Sequence, residues 1–180
     1  PVNFFRNLQV IRNVGEALSH SPVARIFYFS SPAVYGEETH NTMIDEGTPF
    51  CAQSYYGLSK QCGEFYLRDI AKGMEVPLLC LRPPIVFGGD DYGYGPGGFV
   101  KAAMNHEVIY RWGDGSECRE FLYVEDLVRM CEQLLGVEYE GSLNLCSGES
   151  CSYDHILRLL QNLLDRELRI EEKERTKSKV

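Results

Sequence analysis

Arg25-Ile-Phe-Tyr-Phe-Ser30 decides the fold. It is a short, nearly continuous hydrophobic run, the pattern of a parallel strand covered on both faces. Upstream, Phe4, Leu8, Ile11, Val14 and Leu18 recur at three- or four-residue spacing and predict a helix over residues 3–19, stopped by Pro22. Downstream, after a loop rich in Gly, Glu and Thr, the apolar stripe Leu58, Cys62, Phe65, Tyr66 and Ile70 predicts a second helix over 54–73. Ser54 is its expected N-cap and Gly73 its expected close. Residues 76–82 read as another buried strand. Further along, 99–105 is a short helix, 108–112 a strand, 124–135 a helix opened by Glu125 and Asp126, and 142–146 strand-like. A last helix over 152–164 carries Ile156, Leu159, Leu160, Leu163 and Leu164 on one expected face. The charge-rich stretch 166–180 reads as a solvated tail. Strand and helix alternate with short connections, so the expected architecture is α/β around a mostly parallel sheet.

Composition narrows the function classes. The 180 residues hold 18 Lys+Arg against 26 Asp+Glu, a net charge of −8, which argues against non-specific binding to nucleic acid or to an anionic membrane. With 44% hydrophobic and 24% charged residues the chain has ordinary globular composition. No apolar run approaches the ~20 residues of a membrane-spanning helix. Seven cysteines without a Cys-x-x-Cys pair suit a reduced, cytoplasmic setting, and no metal site is expected. The chain starts at Pro1, and its first residues read as the middle of a helix-bearing unit, so a fragment is expected.

Tyr56-Gly-Leu-Ser-Lys60 puts a phenol and an ammonium four residues apart, on one face of the second helix. A fixed cation beside a phenol favours the phenolate, a base able to take a proton from a sugar hydroxyl or return one to a carbonyl. Spacing alone recurs by chance, and a helix-surface Tyr and Lys without a role is the competing reading. Context comes from Phe29-Ser30-Ser31-Pro32-Ala33-Val34-Tyr35-Gly36, which ends the first strand with two hydroxyls at the carboxyl edge of the sheet, where open α/β folds bind ligands. The alternative is a turn whose serines bond the backbone.

These residues resemble the extended short-chain dehydrogenases/reductases, in particular the NAD-dependent nucleotide-sugar epimerases and dehydratases. Asn7 with Asn13-Val-Gly-Glu-Ala17 is similar to the helix ahead of the catalytic strand, Ser30 to Gly36 to the serine/threonine segment, and Tyr56 to Lys60 to the Tyr-x-x-x-Lys signature. Leu81-Arg-Pro-Pro-Ile-Val-Phe-Gly88 resembles the strand and turn beside the nicotinamide. The stretch from Gly113 through Arg119 to Asp126 resembles the substrate-side segment, and Asn144-Leu-Cys-Ser-Gly148 a later strand and turn.

The resemblance implies a partial Rossmann-like, doubly wound parallel sheet with a small substrate-binding part. Residues 1–88 would be the catalytic half, and 89–180 mainly substrate-binding, with 113–148 partly returning to the sheet. It implies Tyr56 as acid/base, Lys60 as ribose-hydroxyl ligand and the cation favouring the tyrosinate, and Ser31 as hydroxyl partner of cofactor and substrate. Asn7 and the Pro84 backbone would line the cofactor, NAD. Arg119 would bind the diphosphate of a nucleotide sugar, since a forked cation suits paired phosphate oxygens; its alternative is a surface ion pair with a neighbouring acid. Tyr110 to Trp112 either flank the base or serve as an edge strand. A homodimer through helices 3–19 and 54–73 is implied, with Phe65 and Leu67 as spare apolar contacts. Two departures limit the substrate. Pro32 and Ala33 stand where the dehydratases and decarboxylases of the family carry an acid, and Ile85 where several epimerases carry Asn.

Gly93-Tyr-Gly95-Pro-Gly-Gly98 formally fits G-x-G-x-x-G. No strand runs directly into its first glycine, however, so it reads as a substrate-side loop. On that reading the chain holds only the catalytic half and is expected to bind NAD weakly or not at all. The leading function is an NAD-dependent nucleotide-sugar epimerase. An NAD(P)-dependent nucleotide-sugar reductase or dehydrogenase and a non-catalytic Rossmann-like module remain open.

Overall fold

The computed structural model describes residues 2–36, 43–89 and 95–174. In chain order the elements are α1 (Val2–Leu18), β1 (Ile26–Phe29), a 3-10 turn (Pro32–Tyr35), α2 (Tyr55–Met74), β2 (Leu78–Arg82), β3 (Ile85–Phe87), α3 (Pro96–Met104), β4 (Ile109–Trp112), β5 (Cys118–Tyr123), α4 (Val124–Leu135), β6 (Gly141–Asn144), β7 (Ser150–Ser152), α5 (Tyr153–Leu164) and β8 (Ile170–Lys173). They gather into two compact units. One comprises Pro1–Pro83 with Cys131–Leu145, the other Pro84–Met130 with Cys146–Val180.

The first unit is built on a parallel sheet of order β1-β2-β6. Ile26 is in register with Leu78 and Phe29 with Leu81, while Leu79 pairs with Gly141 and Arg82 with Asn144. All five residues of the central strand β2 are buried, the four apolar ones as their unbroken run requires and Arg82 at its end with them. Helices α1 and α2 pack on one another, and Ile11, Ile26, Leu67, Ala71, Leu78 and Cys80 close the core.

Two sequence expectations shift here. The buried side of α2 holds Gly57, Ser59, Gly63, Glu64, Leu67 and Ala71, whereas Phe65 is 73% exposed. Close approach selects small side chains, so the packed stripe is rotated away from the most hydrophobic one. Leu67, expected as a spare contact for a second copy, is therefore a core residue. Nor does α2 close at Gly73. It runs on to Met74 and is capped by Glu75, whose left-handed backbone (φ 55°) lets its N–H reach the Ala71 and Lys72 carbonyls.

In the second unit β3 pairs in parallel with β5, which pairs antiparallel with β7, and β4 pairs in parallel with β8. Ala103, Ile109 and Leu157 form its core, with Phe99, Leu160, Leu164 and Ile170 against it. The buried face of α5 is thus centred on Leu157, Leu160 and Leu164, while Leu159 and Leu163 point outward. The expected solvated tail is corrected as well. Ile170–Lys173 forms β8, because Ile170 has an apolar cluster to join and β4 offers a free ladder, bonded at its ends by Ile109 N–H to the Arg169 carbonyl and Gly113 N–H to the Lys173 carbonyl. Residues 175–180 lie outside the described ones.

Candidate active site

The carboxyl end of β1 collects the hydroxyl, phenol and ammonium groups of the sequence pattern within the first unit. The Ser54 side chain accepts the Gly57 N–H at 3.0 Å and starts α2, as its sequence position implies. Gly57 then lets the helix N-terminus settle on the 3-10 turn, since a Cβ at that position would overlap the Ala33 carbonyl. That approach sets Tyr56, 50% exposed, beside the turn that Ser31 caps. The Ser31 hydroxyl accepts the Ala33 N–H at 3.2 Å, so it serves the turn while its own proton stays available to a second partner. Ser30 is buried and its hydroxyl has no hydrogen-bond partner among the described residues.

Lys60 reaches back along α2. Its ammonium donates to the Phe29 carbonyl at 2.8 Å and lies 5.3 Å from the centre of the Tyr28 ring and 5.7 Å from that of Tyr56. Partial burial lowers its pKa from the ordinary lysine value. Asn7 is tied to the same helix. Its amide donates to the Ser59 hydroxyl at 3.0 Å, and that hydroxyl donates to the Tyr56 carbonyl at 2.8 Å. The chain Asn7, Ser59, Tyr56 holds the first turn of α2 in place.

Below this edge lies a buried polar network that the sequence reading missed. Arg82, at the end of β2, donates through Nε to Glu64 Oε1 at 2.8 Å and through Nη2 to Glu64 Oε2 at 2.6 Å. Its Nη1 donates to the Tyr35 hydroxyl at 2.5 Å, and Nη2 also reaches the Ser142 hydroxyl at 2.9 Å. The Tyr35 hydroxyl donates to Asn144 Oδ1 at 2.8 Å. Glu64 is fully buried and Arg82 almost so. Burial alone would disfavour the guanidinium charge, but the hydrogen bonds and charge of Glu64 outweigh it and hold the Arg82 pKa above its ordinary value. Glu64 falls one helical turn beyond Lys60, away from the apolar stripe that the sequence pattern turns inward, so no sequence signal marked it.

The remaining expected site residues belong to the second unit. Pro84 stands one residue before β3. Arg119 on β5 is ion-paired with Glu117 and donates to the Cys118 carbonyl at 2.9 Å, the neighbouring-acid arrangement that competed with a phosphate role. Tyr110 on β4 is 46% exposed, with the Lys173 ammonium 3.5 Å from the centre of its ring and 5.7 Å from that of Trp112. In the glycine-rich stretch, Gly95 caps α3 at φ 63° without a side-chain bond, and β3 ends well before it at Phe87. Gly93 lies outside the described residues. Among the described residues no helix is long and apolar enough to cross a membrane, and no cluster of His, Cys, Asp or Glu could hold a metal.

The parallel sheet of the first unit, with helices α1 and α2 packed on it, is an α/β architecture of Rossmann type. The family model described as the NAD dependent epimerase/dehydratase family matches residues 1–145, and the chain belongs to that family. It is 26% identical to GDP-mannose 3,5-epimerase 1 of Oryza sativa subsp. indica, over 94% of this chain and 48% of that protein. Among solved structures it resembles the UDP-N-acetylglucosamine 4-epimerase of Methanobrevibacter ruminantium M1 in complex with UDP-N-acetylmuramic acid, with a TM-score of 0.85 and 24% identity over 94% of this chain and 56% of that one. It also resembles the UDP-glucuronic acid 4-epimerase of Bacillus cereus in complex with UDP-glucuronic acid and NAD, at a TM-score of 0.85 and 22% identity over 94% of this chain and 55% of that one. At those identities the likeness is one of fold. The chain spans about half the length of the curated relatives it matches.

Proposed function

We propose that this chain forms the catalytic part of an NAD-dependent nucleotide-sugar epimerase. The observation that carries the proposal is the Lys60 ammonium, anchored on the Phe29 carbonyl and set 5.7 Å from the Tyr56 ring, at the sheet edge that Ser31 also occupies. The donor set suits the ribose end of a dinucleotide. An ammonium carries three hydrogens, of which the Phe29 carbonyl takes one, and a half-exposed phenol stands beside it. When bound, NAD supplies the hydride acceptor and donor.

The chain's own residues handle the proton. The Tyr56 oxygen, as phenolate, removes the proton of a sugar hydroxyl and later returns it, with the Lys60 ammonium beside its ring. The Ser31 hydroxyl shares the same sugar oxygen and orients it. Asn7 and Ser59 fix the backbone of Tyr56. Arg119 is assigned to the substrate diphosphate by exchange of its Glu117 partner, Tyr110 to the base, and the Pro84 backbone to the cofactor. Pro32 and Ala33 follow Ser31 and offer no carboxylate for dehydration. The reading also carries a homodimer through α1 and α2, supported by the exposed Phe5, Val10, Val14 and Phe65.

The test is to incubate the full-length protein that contains this chain with NAD⁺ and UDP-hexoses and follow the sugar by NMR. An epimer formed without accumulation of reduced nicotinamide supports the proposal. Stoichiometric reduced nicotinamide would instead mark a dehydrogenase.

A further inference from the structure

We propose that Arg82 and Tyr35 are positioning residues, members of a buried clamp Glu64–Arg82–Tyr35–Asn144 that fixes the Ser31 turn against the Tyr56–Lys60 helix. The inference rests on the epimerase reading and deepens it.

Each end of the clamp is one short element away from a reacting group. Glu64 lies one turn beyond Lys60 and two turns beyond Tyr56 on α2. Tyr35 is the last residue of the four-residue 3-10 turn that Ser31 caps. Arg82 ends β2, the central strand, and joins the two with a planar fork. The Tyr35 hydroxyl is held from both sides, accepting from Arg82 and donating to Asn144. The Tyr35 and Phe50 rings also lie 4.9 and 5.0 Å from the guanidinium carbon, so the fork has little room to rotate.

A buried ion pair is a poor source of net stability, because desolvation of two charges offsets much of their attraction. What it supplies is a single geometry. Here that geometry sets the separation of the Ser31 hydroxyl from the Tyr56 phenol, and misplacement of a reacting group by about 1 Å can cost on the order of 100-fold in rate.

Tyr35→Phe removes one oxygen from the clamp and leaves every charge in place. In the epimerase assay, run beside Tyr56→Phe, it is expected to lower kcat at least tenfold, with KM for the nucleotide sugar within twofold and an unchanged circular dichroism spectrum. A residue that merely supports the fold would lower the melting temperature and leave kcat per folded molecule unchanged. Asn144→Ala, which frees the Tyr35 hydroxyl from its acceptor, provides a second reading if the first variant does not fold, with kcat expected to fall at least threefold at constant KM. Wild-type kcat in folded Tyr35→Phe or, failing that, in Asn144→Ala, alongside an inactive Tyr56→Phe, overturns the clamp alone. A fully active Tyr56→Phe overturns the epimerase reading and the clamp with it.

Discussion

The Lys60 ammonium lies 5.7 Å from the centre of the Tyr56 ring, one turn along the same helix. The charge is held there by the Phe29 carbonyl, 2.8 Å away on the neighbouring strand. Lys60→Met keeps most of the aliphatic stem and removes the charge. It is expected to lower kcat/KM by ~100-fold or more, as loss of assistance to an acid/base group does, with the helix intact by circular dichroism. Steady-state kinetics of the variant check this.

The Glu64–Arg82 pair makes a prediction about stability that is independent of catalysis. Glu64→Ala strands a guanidinium that is 2% exposed, and breaking a buried pair in this way costs about 3–5 kcal/mol. The double replacement Glu64→Leu with Arg82→Met removes both charges and is expected to cost less than either single change. Urea midpoints of Glu64→Leu alone, Arg82→Met alone and the double variant decide it. Equal, additive losses would show that the two side chains act separately.

Burial pushes the Cys80 thiol up to about 12 from its ordinary 9.0. The unfolded thiol ionises above about pH 9 while the native one stays protonated, so the unfolded state gains stability as pH rises through that window. Denaturation midpoints are expected to fall between pH 9 and 12, and less steeply in Cys80→Ala. At neutral pH the exposed Cys51, Cys118 and Cys146 are expected to take up a maleimide while Cys80 reacts only in denaturant, as peptide mass mapping would show.

The elements were legible where a single physical signal set them. Ser54 and Ser152 start α2 and α5, each side chain accepting an N–H of the first turn, at the positions their hydroxyls mark. The apolar run Leu78–Leu81 of β2 is buried throughout. What the sequence hid was choice of face and long-range partnership. Hydrophobicity pointed α2 toward Phe65, but its packing surface is built on Gly57, Gly63 and Ala71, whose small size is invisible to an apolar count. Ile170 sits among charges and reads as tail, and only the distant β4 ladder makes it a strand. Arg82 was read as one letter of a motif. Its hydrogen-bond partners Tyr35, Glu64 and Ser142 lie 47, 18 and 60 positions away along the chain, and no local pattern joins them.

Tyr56→Phe tests the central claim most directly, because it deletes one oxygen and leaves the ring, the helix and Lys60 in place. The expected result is a kcat lower by ~100-fold or more in the epimerase assay, with nucleotide-sugar binding retained by calorimetry. Turnover near that of the unmodified protein would contradict it.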